Sequence, residues 1–463
     1  MTGIPFLLVF VLAIVVMIWL ISKAKIHPFL SILLVSMVLG LIGGIPFVDQ
    51  TAADGTKVSG IASVIGQGFS GTFTSIGIVI IFGALIGSLL EKTGGALKLS
   101  DMVVRLVGEK KPELAMELMG WVVSIPVFCD SGFVILNPIR SALVRRTRTS
   151  SVAMTLCLSI GLYTSHVFIP PTPGPIAAAN TLGVGENILL VMGFGALVSI
   201  PALIGAYFFA KYMGKKEKAA DDELLEGATV QTYEELVASY GKLPSGWMSL
   251  APIVVPILLM ALSNVASILK WTGPLRTAFA FLGTPIVALA VGVLFGIALL
   301  LSRSDMSRLY EITNETLKTV GPILFITAAG GVLGKVIAST SLVSFIKANA
   351  SVFQSVGIFF PFILAAILKT AQGSSTVAIT TTAGILAPLL PALGFVTAPQ
   401  AALVVMAIGA GAMTVSHAND SYFWVVTNFG EMTPEQGYKT QTMATLVAGL
   451  CSMAGVFLLS LFL

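Results

Sequence analysis

The chain has 463 residues, of which 56% are hydrophobic and only 10% charged, with a formal net charge of +4. A soluble domain carries roughly 25% charged residues, so this composition excludes a soluble enzyme or binding module and predicts an all-α polytopic membrane protein. The small positive balance predicts no nucleic-acid partner, and Cys129, Cys157 and Cys451 have neither paired nor metal-ligand spacing, which predicts no disulfide, metal or other cofactor.

Residues 1–22 carry no charge, and the apolar run from Ile4 to Ile21 is longer than a signal-peptide core, so it is expected to persist as a first span. Further spans are expected at 28–47, 71–90, 151–180, 187–210, 247–269, 277–301, 319–334, 398–428 and 441–462. Two apolar segments, 115–143 and 352–390, each carry a polar break near the middle and predict re-entrant hairpins that return to their own side. About ten transmembrane spans and two hairpins result. With the N-terminus outside, 20 of the 26 Lys and Arg fall on the inner face, the bias that the positive-inside rule expects. Both termini are then extracytoplasmic.

This threading gives each half three spans, a hairpin and two spans. Five crossings leave the second half upside down, so residues 1–210 and 247–463 are expected to form an inverted repeat joined by a cytoplasmic linker at 211–246. Sequence echoes agree: Ser124–Pro138 parallels Leu368–Thr382, and Thr164-Ser165-His166 parallels Val415-Ser416-His417.

From Thr370 to Asn419 there is no Asp, Glu, Lys or Arg. The whole stretch therefore belongs at membrane depth, where an unpaired backbone group costs several kcal/mol. The polar run Lys369-Thr-Ala-Gln372-Gly373-Ser374-Ser375-Thr376 inside it predicts a helix that breaks at Gly373 and restarts at Ser374. Free N–H groups and the positive end of a helix dipole would then face a cavity, ready for an anion, with Lys369 one turn earlier adding a full charge. A kinked helix whose hydroxyls bond their own backbone is the alternative.

Ionisable groups at membrane depth default to function. Here they are Asp130 in the first tip, followed by Ser131 and Gly132; Lys369 in the second; His166 and His417 in two helix breaks; and Asp420 beyond the latter. Around His166, the four prolines between Pro170 and Pro175 rule out a continuous helix. Thr164, Ser165, Thr172, Ser416 and Asn419 are expected to hydrogen-bond substrate hydroxyls, and the tips and Lys369 to take a carboxylate. A carboxylate at membrane depth is costly as an anion, which makes Asp130 and Asp420 the candidates to carry a coupling proton. Asp420 as a helix N-cap is the competing reading.

Gln372-Gly373-Ser374-Ser375-Thr376-Val377-Ala378, Ser416-His417-Ala418-Asn419-Asp420 with Phe423-Trp424, and the Lys23–Leu30 approach to the second span resemble the hallmark segments of the gluconate permease (GntP) family along the entire chain. The resemblance implies proton-coupled symport of gluconate or a related small hydroxy-carboxylate through the bacterial inner membrane. It also implies an elevator fold similar to the ion-transporter superfamily, and a homodimer as in related elevator carriers. The first tip departs from the family pattern: Cys129-Asp130-Ser131-Gly132 stands where gluconate and D-serine members carry Glu-Val. Glycerate, hydroxybutyrate and other sugar acids stay open as substrates. A sodium-coupled organic-acid or D-serine-type carrier and an anion channel are the alternatives. No His-Glu-x-x-His, Gly-x-Ser-x-Gly or Gly-x-Gly-Asp motif supports an enzyme.

Overall fold

The structure is a computed structural model that describes all residues except 1–2, 52–54, 108–110, 224–242, 269–270, 303–305, 350–355 and 418–419. The described residues are almost entirely helical. The first half runs α1 (Gly3–Ser22), α2 (Pro28–Ile42), α3 (Ile61–Lys92), α4 (Gly95–Val107), α5 (Pro112–Val123), α6 (Cys129–Thr147), α7 (Ser151–Phe168), α8 (Pro173–Thr181) and α9 (Ile188–Lys216). The second runs α10 (Gly246–Ile268), α11 (Pro274–Leu282), α12 (Pro285–Ser302), α13 (Leu309–Ala338), α14 (Leu342–Ala348), α15 (Phe359–Gln372), α16 (Ser375–Leu386), α17 (Ala398–Met413), α18 (Ser421–Phe429) and α19 (Met443–Ser460). A two-stranded antiparallel pair, Gln50–Thr51 with Lys57–Val58, lies between α2 and α3.

Among the described residues, seven stretches are long and apolar enough to cross a membrane, and α3, bent by 41° between Thr74 and Gly77, makes an eighth. The sequence-based boundaries shift in consistent ways. The expected spans 71–90 and 319–334 lie within the longer helices α3 and α13, which extend N-terminally through the more polar stretches 61–70 and 309–318. The segments 151–180 and 398–428 are each two helices with a break, at 169–172 and 414–420.

Helix starts follow local chemistry. The Ser150 side chain accepts from the Ala153 N–H at the start of α7, and Thr397 and Gln400 form a capping box at the start of α17, satisfying amides that a helix terminus leaves orphaned.

The broken elements occupy the centre. Every residue of α7 and α16 is buried, as is α17 from Ala401 onward. By contrast α1 presents Ile4, Leu8, Leu12, Val15 and Trp19 outward, and α9 presents Leu197, Ile200, Ile204 and Phe208. Hydrocarbon rewards such a surface, whereas irregular backbone survives at depth only when enclosed by protein or lining a wet cavity. Glycines set the closest crossings: a side chain on Gly120 would strike the Leu158 carbonyl and one on Gly161 the Glu117 carbonyl, so α5 and α7 touch backbone to backbone.

Candidate functional site

A cavity of about 480 Å³ opens where α6, α7, α13, α16 and α18 converge. Three helices begin at its wall: α6 after Phe128, α16 after Ser374 and α18 after Asp420. Each contributes first-turn amides that no intrahelical carbonyl can satisfy, and the positive end of its dipole. Gly373 supplies the sharp turn between α15 and α16 at φ +92°, a conformation that costs an L-residue 1–2 kcal/mol or so and glycine almost nothing. Ser374 then caps α16, its hydroxyl accepting from the Val377 N–H at 3.3 Å.

The charged side chains fall into two groups. Asp130, in the first turn of α6, lines the cavity, where its Oδ1 accepts from Ser421 Oγ at 3.2 Å and Cys129 Sγ lies 3.6 Å from Oδ2. Asp420 is held on every side. Its Oδ1 accepts from the Tyr422 N–H at 3.0 Å, and its Oδ2 from Ser416 Oγ at 2.5 Å and Lys369 Nζ at 2.7 Å. Asp420 is thus the N-cap of α18 and a buried counter-ion at once. Lys369 is fully buried and donates a second hydrogen bond to the Gly373 carbonyl at 2.7 Å, so its ammonium is held between Gly373 and Asp420, which line the cavity, while Lys369 itself is not part of the lining. His417 Nε2 lies 3.0 Å from the Thr370 carbonyl, tying the same two segments together.

The structure brings Asp130, His166, Gly373, Ser374, Ser375, Thr376 and Asp420 to one cavity. Thr164, Ser165, Thr172, Gly132 and Ser416 do not line it. Thr172 Oγ1 bonds its own turn at Ile169 O (2.7 Å), and Ser416 Oγ is spent on Asp420. Asn419 and the side chains of Ser131 and Gln372 lie outside the described residues.

Helix periodicity explains the first of these outcomes. Residues three apart share a face, so Tyr163 and His166 reach the cavity while Thr164 and Ser165 are rotated behind it. The His166 ring sits 5.9 Å from Phe128, and its Nδ1 has no protein partner among the described residues.

The cavity also recruits residues that the sequence reading passed over: Tyr163 and Tyr422, with rings 5.1 Å apart, and Thr319 and Ile323, one turn apart on α13. The i, i+3 spacing of Tyr163 and His166 was the available signal. The α13 pair carried none. Two buried ionisable side chains, Glu117 on α5 and Arg140 on α6, were likewise passed over.

A charge-bearing cavity walled by helix starts, inside a bundle whose outer faces are apolar, defines a helical membrane transport protein. The chain has the fold of the YdaH transporter of Alcanivorax borkumensis, with a TM-score of 0.63 at 16% identity over 94% of this chain and 97% of that one. The model of the GntP family permeases matches residues 5–462, and the chain belongs to that family. It is 34% identical over 439 residues to an uncharacterized permease of Haemophilus influenzae, covering 92% of this chain and 86% of that protein. It is 32% identical to the inner membrane permease YgbN of Escherichia coli and 30% identical to a gluconate permease of Zymomonas mobilis, each over 97% of both chains. The family consists of permeases, and the protein is accordingly a transporter and not an enzyme.

Proposed function

We propose that this permease takes up gluconate or a related small hydroxy-carboxylate together with a proton across a bacterial inner membrane. The observation that carries the reading is the meeting of the α6 and α16 N-termini on one polar cavity beside Asp130. The amides of the α16 start receive the substrate carboxylate. Thr376, Ser421, Thr319 and the imidazole of His166 are within the same cavity for its hydroxyls. An ionised Asp130 and an anionic guest repel each other in a desolvated space; a proton on Asp130 removes the conflict, so anion and proton enter together. Relatives whose names specify gluconate or the inner membrane support the cargo and the location.

The order of elements supports an inverted repeat of residues 1–210 and 247–463. Helices α1 to α9 have counterparts α10, α12, α13, α14, α15, α16, α17, α18 and α19, with α11 unmatched. The helix–break–helix units α5–α6 and α15–α16 take the same place in each half, as do α7–α8 and α17–α18. Adding the shorter α2 and α17 to the eight apolar stretches gives ten crossings, with the two units re-entrant. In this reading α3 and α13, which pack extensively on each other, belong to a scaffold against which α16 and its neighbours slide.

Uptake into proteoliposomes under imposed proton or sodium gradients, with a panel of gluconate, glycerate, hydroxybutyrate and D-serine, tests the proposal. Saturable accumulation of a hydroxy acid driven by an inward proton gradient is expected. Accumulation that follows sodium alone reassigns the coupling ion, and an unsaturable conductance makes the protein a channel.

A further inference from the structure

Resting on the transport reading above, we propose that Lys369 and Asp420 form an internal counter-ion pair that positions the second tip for the substrate carboxylate, and that the Lys369 ammonium does not itself receive it.

Lys369 lies on the last turn of α15, and its Nζ meets Gly373 O and Asp420 Oδ2, each at 2.7 Å, with no exposed side-chain surface. To bind an incoming anion it would have to release Asp420. That would leave a buried carboxylate without its cation, and breaking a buried pair in this way is far costlier than never having formed it. The bond to Gly373 O has a separate geometric effect. Gly373 turns the chain in the left-handed region, its N–H already donates to Lys369 O at 2.8 Å, and the ammonium holds its carbonyl on the α15 side of the turn.

Asp420 completes the brace from the other segment. With Ser416 Oγ, Lys369 Nζ and the Tyr422 N–H all aimed at it, its carboxylate joins the break after α17 to the tip before α16. The His417–Thr370 contact runs parallel to this tie. The tip and the break thus form one rigid piece, and the charges of the pair cancel inside it. Among the described residues that line the cavity, this leaves Asp130 as the carboxylate without a cationic partner.

A double-mutant cycle distinguishes a positioning pair from a substrate ligand. Lys369→Met, Asp420→Asn and the double variant are purified, their melting temperatures measured without any acid, and gluconate uptake measured in proteoliposomes. Each single variant leaves one buried charge bare, and is expected to melt lower than wild type and to lose at least about 100-fold in kcat/KM. The double variant carries neither charge, and its Asn can still accept from Ser416 or Tyr422. It is expected to melt higher than either single variant and to exceed both at least about tenfold in kcat/KM, falling short of wild type because the Gly373 carbonyl has lost its donor, with KM little changed. A double variant as inactive as Lys369→Met with a raised KM overturns the proposal and makes Lys369 the carboxylate ligand. A double variant that melts lower than either single, or aggregates, overturns it too. Absence of gluconate uptake by the wild-type protein counts against the cargo reading, while the melting temperatures still read the pair.

Discussion

Ser421 Oγ donates to Asp130 Oδ1 across 3.2 Å, a hydrogen bond between residues 291 positions apart that closes one side of the cavity. It joins the first turn of α6 to the first turn of α18, so the proposed proton carrier is held by a group from the other half of the chain. Asp130→Asn keeps the shape and the acceptor for Ser421 but cannot exchange a proton. The expected outcome is loss of proton-driven accumulation with retained exchange of internal for external substrate. Counterflow in proteoliposomes measures the second, and normal accumulation by this variant would remove Asp130 from the coupling step.

The Ser374 hydroxyl satisfies the Val377 amide at the start of α16. Replacing an N-cap serine by alanine costs about 1 kcal/mol. Since this terminus receives the carboxylate in the proposed site, Ser374→Ala should raise the KM for the substrate roughly fivefold, as about 1.4 kcal/mol corresponds to tenfold, with little change in protein yield. Initial-rate uptake across substrate concentrations checks it.

Gly384 of α16 and Gly330 of α13 meet backbone to backbone, and a side chain on Gly384 would run into the Gly330 carbonyl. Overpacking such a contact costs about 1–3 kcal/mol, and in the proposed mechanism this is a sliding surface. Gly384→Ala should slow uptake more than tenfold, whereas Gly321→Ala, where nothing lies within 4 Å of the new methyl, should transport normally. Equal rates for the two variants would mean that α13 and α16 do not move past each other.

Arg140 is fully buried, and its guanidinium donates to Asn137 Oδ1 at 2.7 Å, Ser151 Oγ at 2.5 Å, Ser141 Oγ at 3.1 Å and Phe429 O at 3.2 Å. The planar fork fits this set and an ammonium does not. Both Arg140→Lys and Arg140→Ala should lower the melting temperature, the alanine variant losing roughly 2 kcal/mol or more of stability. The substrate KM should stay unchanged, because Arg140 is not part of the cavity wall.

Asp49, in the connection between α2 and α3, accepts from the Gly60 N–H at 2.7 Å and from Ser63 Oγ at 2.8 Å. The backbone bond from Gly60, and secondly the Ser63 hydroxyl, hold its carboxyl below the ordinary 3.8. A carboxyl lowered by folding contributes stability that is present above its unfolded value and disappears as pH falls through the lowered one. Protection of the Gly60 amide, corrected for intrinsic exchange, should therefore be constant from neutral pH to about pH 4 and decline only below. In Asp49→Asn it should be independent of pH across that range.

The sequence alone determined that this chain lives in a bilayer, and where its helices break. Charge is nearly absent over long stretches, and hydrocarbon tolerates little else; Gly373 and the prolines from Pro170 to Pro175 interrupt helices for steric and hydrogen-bonding reasons that act locally. The similar spacing of the polar breaks in the two parts of the chain, on which the proposed repeat rests, was also readable there. Tertiary structure alone decided how the side chains are used. The Lys369 charge goes to Asp420, 51 residues further along. Tyr163 reaches the cavity where its neighbours Thr164 and Ser165 do not, because helix rotation selects one face. Thr319 and Ile323 arrive from a helix with no local mark of function. Long-range partners depend on the docking of rigid segments against one another, and a string of residue types fixes which groups need a partner without specifying which one they will meet.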